Sequence, residues 1–390
     1  MYRPRHRQYH GPEFQILKYK INRFFNMRYS ALALIALSAT FCAQSQTTTK
    51  FSAGKDNSYG LEYNLPSTTF DITLEAEKTV KKPGEFFRYA KKYLGVDPIT
   101  EPSSSAVLKS AVITSRGVTN PDEAYLVQFK AGSTPFMVLD EQRTPLSVNT
   151  EETVLPIKTV LPAARAAEPT ILELPVARQA MTQEMLQSTS SAKRAELAAA
   201  RIYEIRQTRS EILSGSAENM PADGTAMKLV LDNLAQQEAA LTAMFLGTTQ
   251  TSTDVTTVNY TPAETNPRKV IARLSMTEGF VDPDDLSGAP VYLDVTVTEK
   301  GKLPVNEKGI EKAFPKGGLA YRIPGKAKAT VSYEGKRMAE QNFDVAQFGV
   351  VFGLDPSLFT DKKAPSFVTF SPLTGGIREI GPVTPAPARK

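Results

Sequence analysis

The chain has 390 residues, with 46 Lys and Arg against 41 Asp and Glu, two histidines, one cysteine and no tryptophan. His6, His10 and Cys42 all fall in the first 42 residues, so the rest of the chain has no thiol nucleophile, no imidazole proton shuttle and no usual zinc ligand set. Carboxylate, lysine, tyrosine and serine chemistry is what remains.

Residues 1–45 read as a leader. Arg3, Arg5, Arg7, Lys18, Lys20 and Arg23 precede Met27-Arg28, and an apolar run from Tyr29 to Phe41 follows. That run is too short for a stable bilayer span and has small polar flanks, as a secretory signal does. Ala43 and Ser45 supply small side chains three and one before a cut, so cleavage is expected near Ser45 and a mature start near Gln46. Met27 as the true start would account for the long basic stretch before it. Cys42 is a lipidation candidate, but Phe41 stands where that motif wants glycine or alanine, and a mature terminus beyond Cys42 is expected. Removing the leader takes away seven Lys and Arg and one Glu, leaving 39 basic against 40 acidic groups. With no basic domain left to neutralise phosphates, nucleic acid is not an expected partner. No further apolar stretch approaches the roughly 18 residues of a transmembrane helix.

Beyond the leader, Tyr59–Leu65 and Thr69–Glu77 alternate apolar and polar side chains and predict two strands. Lys82-Pro83-Gly84 breaks the pattern, and Glu85–Leu94 predicts a helix with Phe86, Tyr89, Ala90, Tyr93 and Leu94 on one face and Gly95 as its cap. Further strands are expected at 106–114, 124–129 and 135–139, so residues 58–150 read as an α+β domain with one short helix on a mostly antiparallel sheet. Pro156, Pro162, Pro169 and Pro175, with Pro145 just before them, make 151–181 a connector. Residues 182–247 predict a long antiparallel helical hairpin. Its first helix carries Ala198, Ile202, Ile205, Ile212 and Leu213 and ends at Gly215. Its second starts at an Asp223 cap and carries Met227, Leu231, Leu234, Leu241 and Phe245 to Gly247. A β-rich domain at 251–381 holds expected strands at 269–277, 290–299, 327–333 and 337–343, a tight turn at Glu334-Gly335, and a closing hairpin from 366–370 and 377–380. Residues 382–390 read as a flexible tail. The expected class is α+β, with mostly antiparallel β domains flanking the helical hairpin.

Tyr63-Asn-Leu-Pro66, Lys82–Leu94, Ile205-Arg206 with Arg209, Pro221-Ala-Asp-Gly224, Phe245-Leu-Gly247, Tyr321-Arg-Ile-Pro-Gly325 and Ala346-Gln-Phe-Gly349, in this order, resemble a family of secreted Bacteroidetes proteins classed as a domain of unknown function. The resemblance implies an exported or envelope location in a Gram-negative bacterium and supplies no catalytic residues.

Several groups are candidates for chemistry. Asp282, Asp284 and Asp285 could offer oxygen ligands to Ca²⁺, but they lack EF-hand spacing and a distal bidentate glutamate, and a solvated turn competes with that reading. A glycosidase needs two carboxylates about 5 Å apart if retaining or about 6.5–9.5 Å apart if inverting, and Glu62, Glu75, Glu77 and Asp294 lie in predicted strands. Ser191 and Lys193 resemble a serine–lysine pair but sit in a polar helix start. Arg206 and Arg209, with Arg201, could grip an anionic partner or form a solvated face paired with Glu204 and Glu211. Phe86, Phe87, Tyr89 and Tyr93 fit a core stripe. The sequence therefore predicts an exported, non-enzymatic scaffold or interaction module with no cofactor. The expected partner is an envelope protein or polysaccharide, and self-association is open. A carbohydrate-active hydrolase or glycan-binding module is the alternative.

Overall fold

Long alternating runs rich in β-branched and aromatic residues set the architecture. A computed structural model describes residues 47–50, 60–128, 136–151, 160–220, 224–263, 268–361 and 365–383. In chain order the first elements are β1 (Thr47–Lys50), β2 (Leu61–Lys82), α1 (Ala90–Leu94), β3 (Ser103–Gln128), β4 (Met137–Leu139) and β5 (Pro145–Val148). Helices α2 (Pro175–Ala180), α3 (Gln183–Gln187), α4 (Ser191–Ser214) and α5 (Thr225–Leu246) follow. The chain then returns to strands β6 (Thr248–Tyr260), β7 (Arg268–Ser275), β8 (Gly279–Val281), β9 (Ala289–Glu299), β10 (Leu319–Tyr333) and β11 (Lys336–Leu354). A short α6 (Ser357–Thr360), β12 (Ser366–Phe370) and β13 (Ile377–Pro382) complete it. The leader, its cut near Ser45, Asp223 and the tail beyond 383 lie outside the described residues.

The strands form three antiparallel sheets, ordered β1-β3-β2-β6, β11-β10-β9-β7-β8 and β13-β12-β5-β4. Phe70, Ile72, Leu74 and Ala76 recur at every second position of β2, and all are almost fully buried. They pack with Val291, Leu293, Val331, Val345 and Phe348, so the first two sheets close as a sandwich. A second core joins Tyr63, Leu65 and Val127 to Val148, Val368 and Phe370 of the third sheet and to Leu319 and Ala320. Thr68 and Gln347 clip the seam, the Thr68 N–H donating to Oε1 at 3.0 Å and Nε2 donating back to the Thr68 carbonyl at 2.7 Å.

Prolines mark where the ladders bend. Pro66 and Pro324 sit at register shifts in β2 and β10, where a residue with no N–H to donate costs the ladder least. Opposite Leu65, between the pairs Asn64↔Ala124 and Pro66↔Thr119, β3 fits in the four residues Asn120-Pro121-Asp122-Glu123. The two strands expected on either side of residue 66 are therefore one strand, bulged rather than broken. The Glu334-Gly335 turn forms with φ of 48° and 75°, the left-handed pair that suits a two-residue hairpin.

The expected α+β arrangement is corrected. Among the described residues 46% are strand and 23% helix, so the chain is mostly β. The β regions do not flank a helical hairpin as separate bodies. β2 pairs with β6 from Phe70↔Tyr260 to Lys82↔Thr248, across the whole helical segment, and residues 44–390 make one compact unit. Nor do α4 and α5 stand as a pair on their own. Ala180 and Met185 from the α2–α3 region and Phe86 and Ala90 from the 86–94 turn complete their core with Ile202, Ile205, Leu241 and Phe245. The Phe86 ring lies 5.4 Å from that of Phe245, tilted by 56°, and the Phe86 N–H donates to the Met244 carbonyl at 2.7 Å. A Cβ on Gly84 would collide with that same carbonyl, so glycine permits the approach. Helical spacing reveals an apolar stripe but not what covers it, and strand alternation does not name a partner strand.

Candidate functional site

The described surface carries a cleft of about 360 Å³ at the edge of the sandwich, where β6 meets β7 and β8. Thr256 and Val258 line it from β6, and Ile271 and Ala272 from β7. Phe280 and Val281 line it from β8, and Asp282, Pro283 and Asp285 form its mouth. Alternation explains the wall, because Asp254, Thr256 and Val258 share one face of β6. Asp254 Oδ2 accepts the Phe280 N–H at 3.3 Å and so fastens β8 over that face.

The acidic loop is a stapled turn. Asp285 N–H donates to the Asp282 carbonyl at 3.0 Å, and Asp285 Oδ1 accepts the Ser287 N–H at 2.9 Å. Arg273 reaches in from β7, its Nε donating to the Pro283 carbonyl at 2.7 Å and a terminal nitrogen to the Gly288 carbonyl at 3.1 Å. The Ser287 N–H and hydroxyl, with the Arg273 charge adding to them, hold the Asp285 carboxyl below its usual range. Of the three aspartates singled out from sequence, Asp282 and Asp285 face the cleft and Asp284 does not line it. Among the described residues no group of three or more His, Cys, Asp or Glu is arranged to hold a metal ion.

A second cluster was not singled out by sequence reasoning as a site. The β3 bulge delivers Glu123 to Arg322 of β10, which is 7% exposed. A guanidinium nitrogen lies 3.8 Å from Glu123 Oε2, while Arg322 Nε is buried without a hydrogen-bond partner. The Tyr125 hydroxyl donates to the same oxygen at 2.7 Å, and Lys50 of β1 stands 3.6 Å from Oε1. Tyr63 stacks on Tyr125 at 5.8 Å and donates to the Ala320 carbonyl at 3.2 Å. Burial pushes both phenols well above the usual tyrosine range. The sequence signal was present in Tyr63-Asn-Leu-Pro66 and Tyr321-Arg-Ile-Pro-Gly325. Nothing in it said that the two stretches meet.

A family model described as Domain of unknown function (DUF4831) matches residues 59–378. The chain belongs to this family. No curated protein and no solved structure matches it. The DUF4831 span contains the cleft, the Arg322 cluster apart from Lys50, and the arginine and strand-carboxylate candidates.

Within that span, Arg206 and Arg209 act inside the molecule. Arg206 Nε lies 2.7 Å from Glu238 Oε1, and an Arg209 terminal nitrogen lies 2.5 Å from Oε2, so one carboxylate of α5 receives both arginines of α4. Glu204 takes Arg201 at 2.9 Å, and Glu211 accepts the Gln207 amide. Burial raises the Glu238 pKa, but the hydrogen bonds and charges of the two arginines more than offset this and hold it below its usual value. Residues of the same contact, including Ala235, Ala239 and Thr242, line a second, shallower cleft of about 380 Å³.

The strand carboxylates are dispersed over the DUF4831 sheets. Glu62 pairs with Arg143 at 2.8 Å, Glu77 with Lys109 at 3.0 Å and Asp294 with Arg268 at 3.6 Å, while Glu75 accepts the Ser110 hydroxyl at 2.7 Å. None of the four lines either cleft. Lys193 pairs with Glu196 at 3.3 Å in the first turn of α4, and Ser190 caps that turn. Phe86 is core, and Tyr89 and Tyr93 pack beside it. Among the described residues no helix is long and apolar enough to cross a membrane.

Proposed function

We propose that this DUF4831 protein is exported to the envelope of a Gram-negative bacterium of the Bacteroidetes type. There it acts without catalysis, as a scaffold or interaction module for an envelope protein or polysaccharide. One observation carries the interaction reading. At the end of α4, in the stretch after it and in α5, Leu213 and Leu229 are each 70% exposed, and Met220 and Val230 are exposed to 43% and 38%. Large apolar side chains left exposed along one helical segment support a surface that meets something other than water. The support for export is the leader pattern, with small residues at Ala43 and Ser45.

The test uses a photo-crosslinking residue at position 229 of a tagged protein in intact cells, with a second copy carrying it at exposed Lys308 as control. A stoichiometric envelope component crosslinked from 229 and absent from 308 is the expected result. Recovery of the protein alone from both positions would remove the interaction reading. N-terminal sequencing of the same material should begin beyond Cys42, and an intact leader in the cytoplasmic fraction would remove the location.

A further inference from the structure

The connection from β9 to β10, residues 300–318, folds into a small hairpin of its own. Val305 and Glu311 form an isolated antiparallel bridge. The Asn306 N–H donates to the Ile310 carbonyl and the Lys312 N–H to the Pro304 carbonyl, both at 2.8 Å. Asn306 Oδ1 accepts the Lys308 and Ile310 N–H groups at 2.9 and 3.0 Å, and Gly309 takes the positive φ of 74° that closes the turn. All residues from 305 to 314 are nevertheless exposed, Ile310 to 60%. Phe314 fixes the base of this finger by meeting Phe352 edge-on at 6.2 Å and lying over Gly353, yet it too stays exposed.

Positive charge is collected on the same finger. Residues 300–316 hold five lysines against two glutamates, in a chain that is near balance beyond residue 45. Lys302, Lys308, Lys312 and Lys316 form no salt bridge among the described residues, whereas Lys326 and Lys328 of β10 pair with Glu299 and Glu340. Alternation puts Ile310 and Lys312 on one face of the ribbon and Glu311 with Val305 on the other, so an exposed apolar side chain and a free cation share a face that this acid does not. None of these residues lines either cleft. A narrow two-stranded finger encloses nothing, and its complement is a surface that yields to it.

We propose that this hairpin docks on a lipid surface carrying anionic headgroups. Ile310 and Phe314 enter the boundary between headgroups and acyl chains, while Lys308, Lys312 and the neighbouring lysines keep their ammonium groups level with the lipid phosphates. A soluble anion would engage the lysines but leave the apolar side chains in water, and a protein partner would have to bring its own groove. The proposal takes from the reading above only the envelope location. It uses a different surface from the one on α4 and α5, and it agrees with position 308 crosslinking no envelope protein.

The chain has no tryptophan, so Ile310→Trp supplies a single reporter. It is placed in the protein starting at Gln46, since residues 44–390 make one compact unit and the apolar run 29–41, which would bind lipid by itself, is left out. The vesicles are phosphatidylglycerol and phosphatidylcholine in equal parts, or phosphatidylcholine alone. The expected result is a blue shift, quenching by acyl-chain-brominated lipid, and binding about tenfold tighter to the anionic vesicles, with the preference fading as salt is added. Leu229→Trp on α5 should stay unquenched. Lys308→Gln with Lys312→Gln should lose most of the preference, and Ile310→Ser should sediment with the vesicles about fivefold more weakly. Thermal unfolding should not change in these variants, because all three side chains are exposed. Equal binding to both vesicles, an unquenched Ile310→Trp, or a preference unchanged in the lysine variant would each overturn the proposal. An envelope protein crosslinked from position 308 would overturn it in favour of a protein partner. A crosslink from 229 without vesicle binding removes the hairpin proposal alone, whereas vesicle binding without any crosslinked partner supports the hairpin and removes the interaction reading.

Discussion

Arg322 in the sheet seam and the arginines of α4 each answer to one glutamate, but the surroundings differ. Arg322 is 7% exposed and its carboxylate partner lies 3.8 Å away, while its Nε, like that of Arg209, is buried without a hydrogen-bond partner. Arg206 and Arg209 have side chains 45% and 35% exposed and meet the two oxygens of Glu238 at 2.7 and 2.5 Å. The better geometry is thus at the wetter place. In the seam, burial has removed water from a charge, so losing the glutamate leaves an uncompensated ion. Between α4 and α5, water can replace much of what a lost carboxylate provided. Distance alone would rank the two contacts in the wrong order for stability.

The largest expected effect breaks the seam. Glu123→Ala strands Arg322 and removes the acceptor of the Tyr125 hydroxyl, and should cost about 3 kcal/mol in urea unfolding. Arg322→Met, which removes the buried charge while filling similar space, should cost less, within about 1 kcal/mol. Equal costs for the two would mean that desolvation does not govern this site. The same seam should respond to alkali. Tyr63 and Tyr125 have pKa values raised by burial, so their contribution is fully present below the ordinary value of 10.0 and is lost as pH rises above it. Ultraviolet titration should show these two phenols ionising only as the protein unfolds. Free ionisation in the folded state would show the seam to be wet.

Gly117→Ala probes the lid of that seam. An added Cβ would collide with the carbonyl of Pro372, in the turn whose Gly375 carbonyl accepts the Arg322 N–H. Backbone has to move, and the expected loss is about 2 kcal/mol, with the 371–376 amides exchanging faster in hydrogen-exchange measurements. Unchanged exchange there would show that the turn adjusts without opening.

The contrast also explains what could be read in advance. The strand positions Phe70, Ile72 and Leu74 and the left-handed helix ends at Gly95 and Gly215 were legible, because alternation and capping are local. Pairing of β2 with β6 was not legible, since residues 82 and 248 are joined through the whole helical segment and no local pattern names a partner so distant. The site divides in the same way. The Asp282–Asp285 stretch was visible as an acidic run, but its apolar floor comes from β6, β7 and β8 together. Arg206 and Arg209 were visible as a pair on one helix, whereas Glu238 lies on another and became their partner through tertiary packing. Arg322 stood within the Tyr321-Arg-Ile-Pro-Gly325 stretch, but its burial and its pairing with Glu123 come from β3 and were not local to it.

A smaller effect is expected between the helices. Glu238→Gln keeps the shape and removes the charge, and should cost about 1 kcal/mol after allowance for the exposure of Arg206 and Arg209. The Glu238 pKa is lowered, so its contribution is present above the ordinary value of 4.5 and disappears as pH falls below it. The stability difference between wild type and Glu238→Gln should therefore narrow under acid. A difference independent of pH would assign the cost to packing rather than charge.

The smallest effect is expected at Leu229. At 70% exposure this side chain contributes little to the fold, and Leu229→Ser should leave stability within about 0.5 kcal/mol. Ile202→Ala on the buried face of α4 should cost about 3 kcal/mol by comparison, because a cavity opens among Phe86, Leu241 and Phe245. The pair separates two explanations of the apolar residues on these helices. If Leu229→Ser unfolds the protein as strongly as Ile202→Ala, the exposed residues are core of an assembly that is already formed in the purified protein. If it leaves stability untouched and lowers co-purification of the envelope partner with the tagged protein, the cost of keeping a leucine in water is being met for binding, and the helical layer divides into a face that folds and a face that recognises.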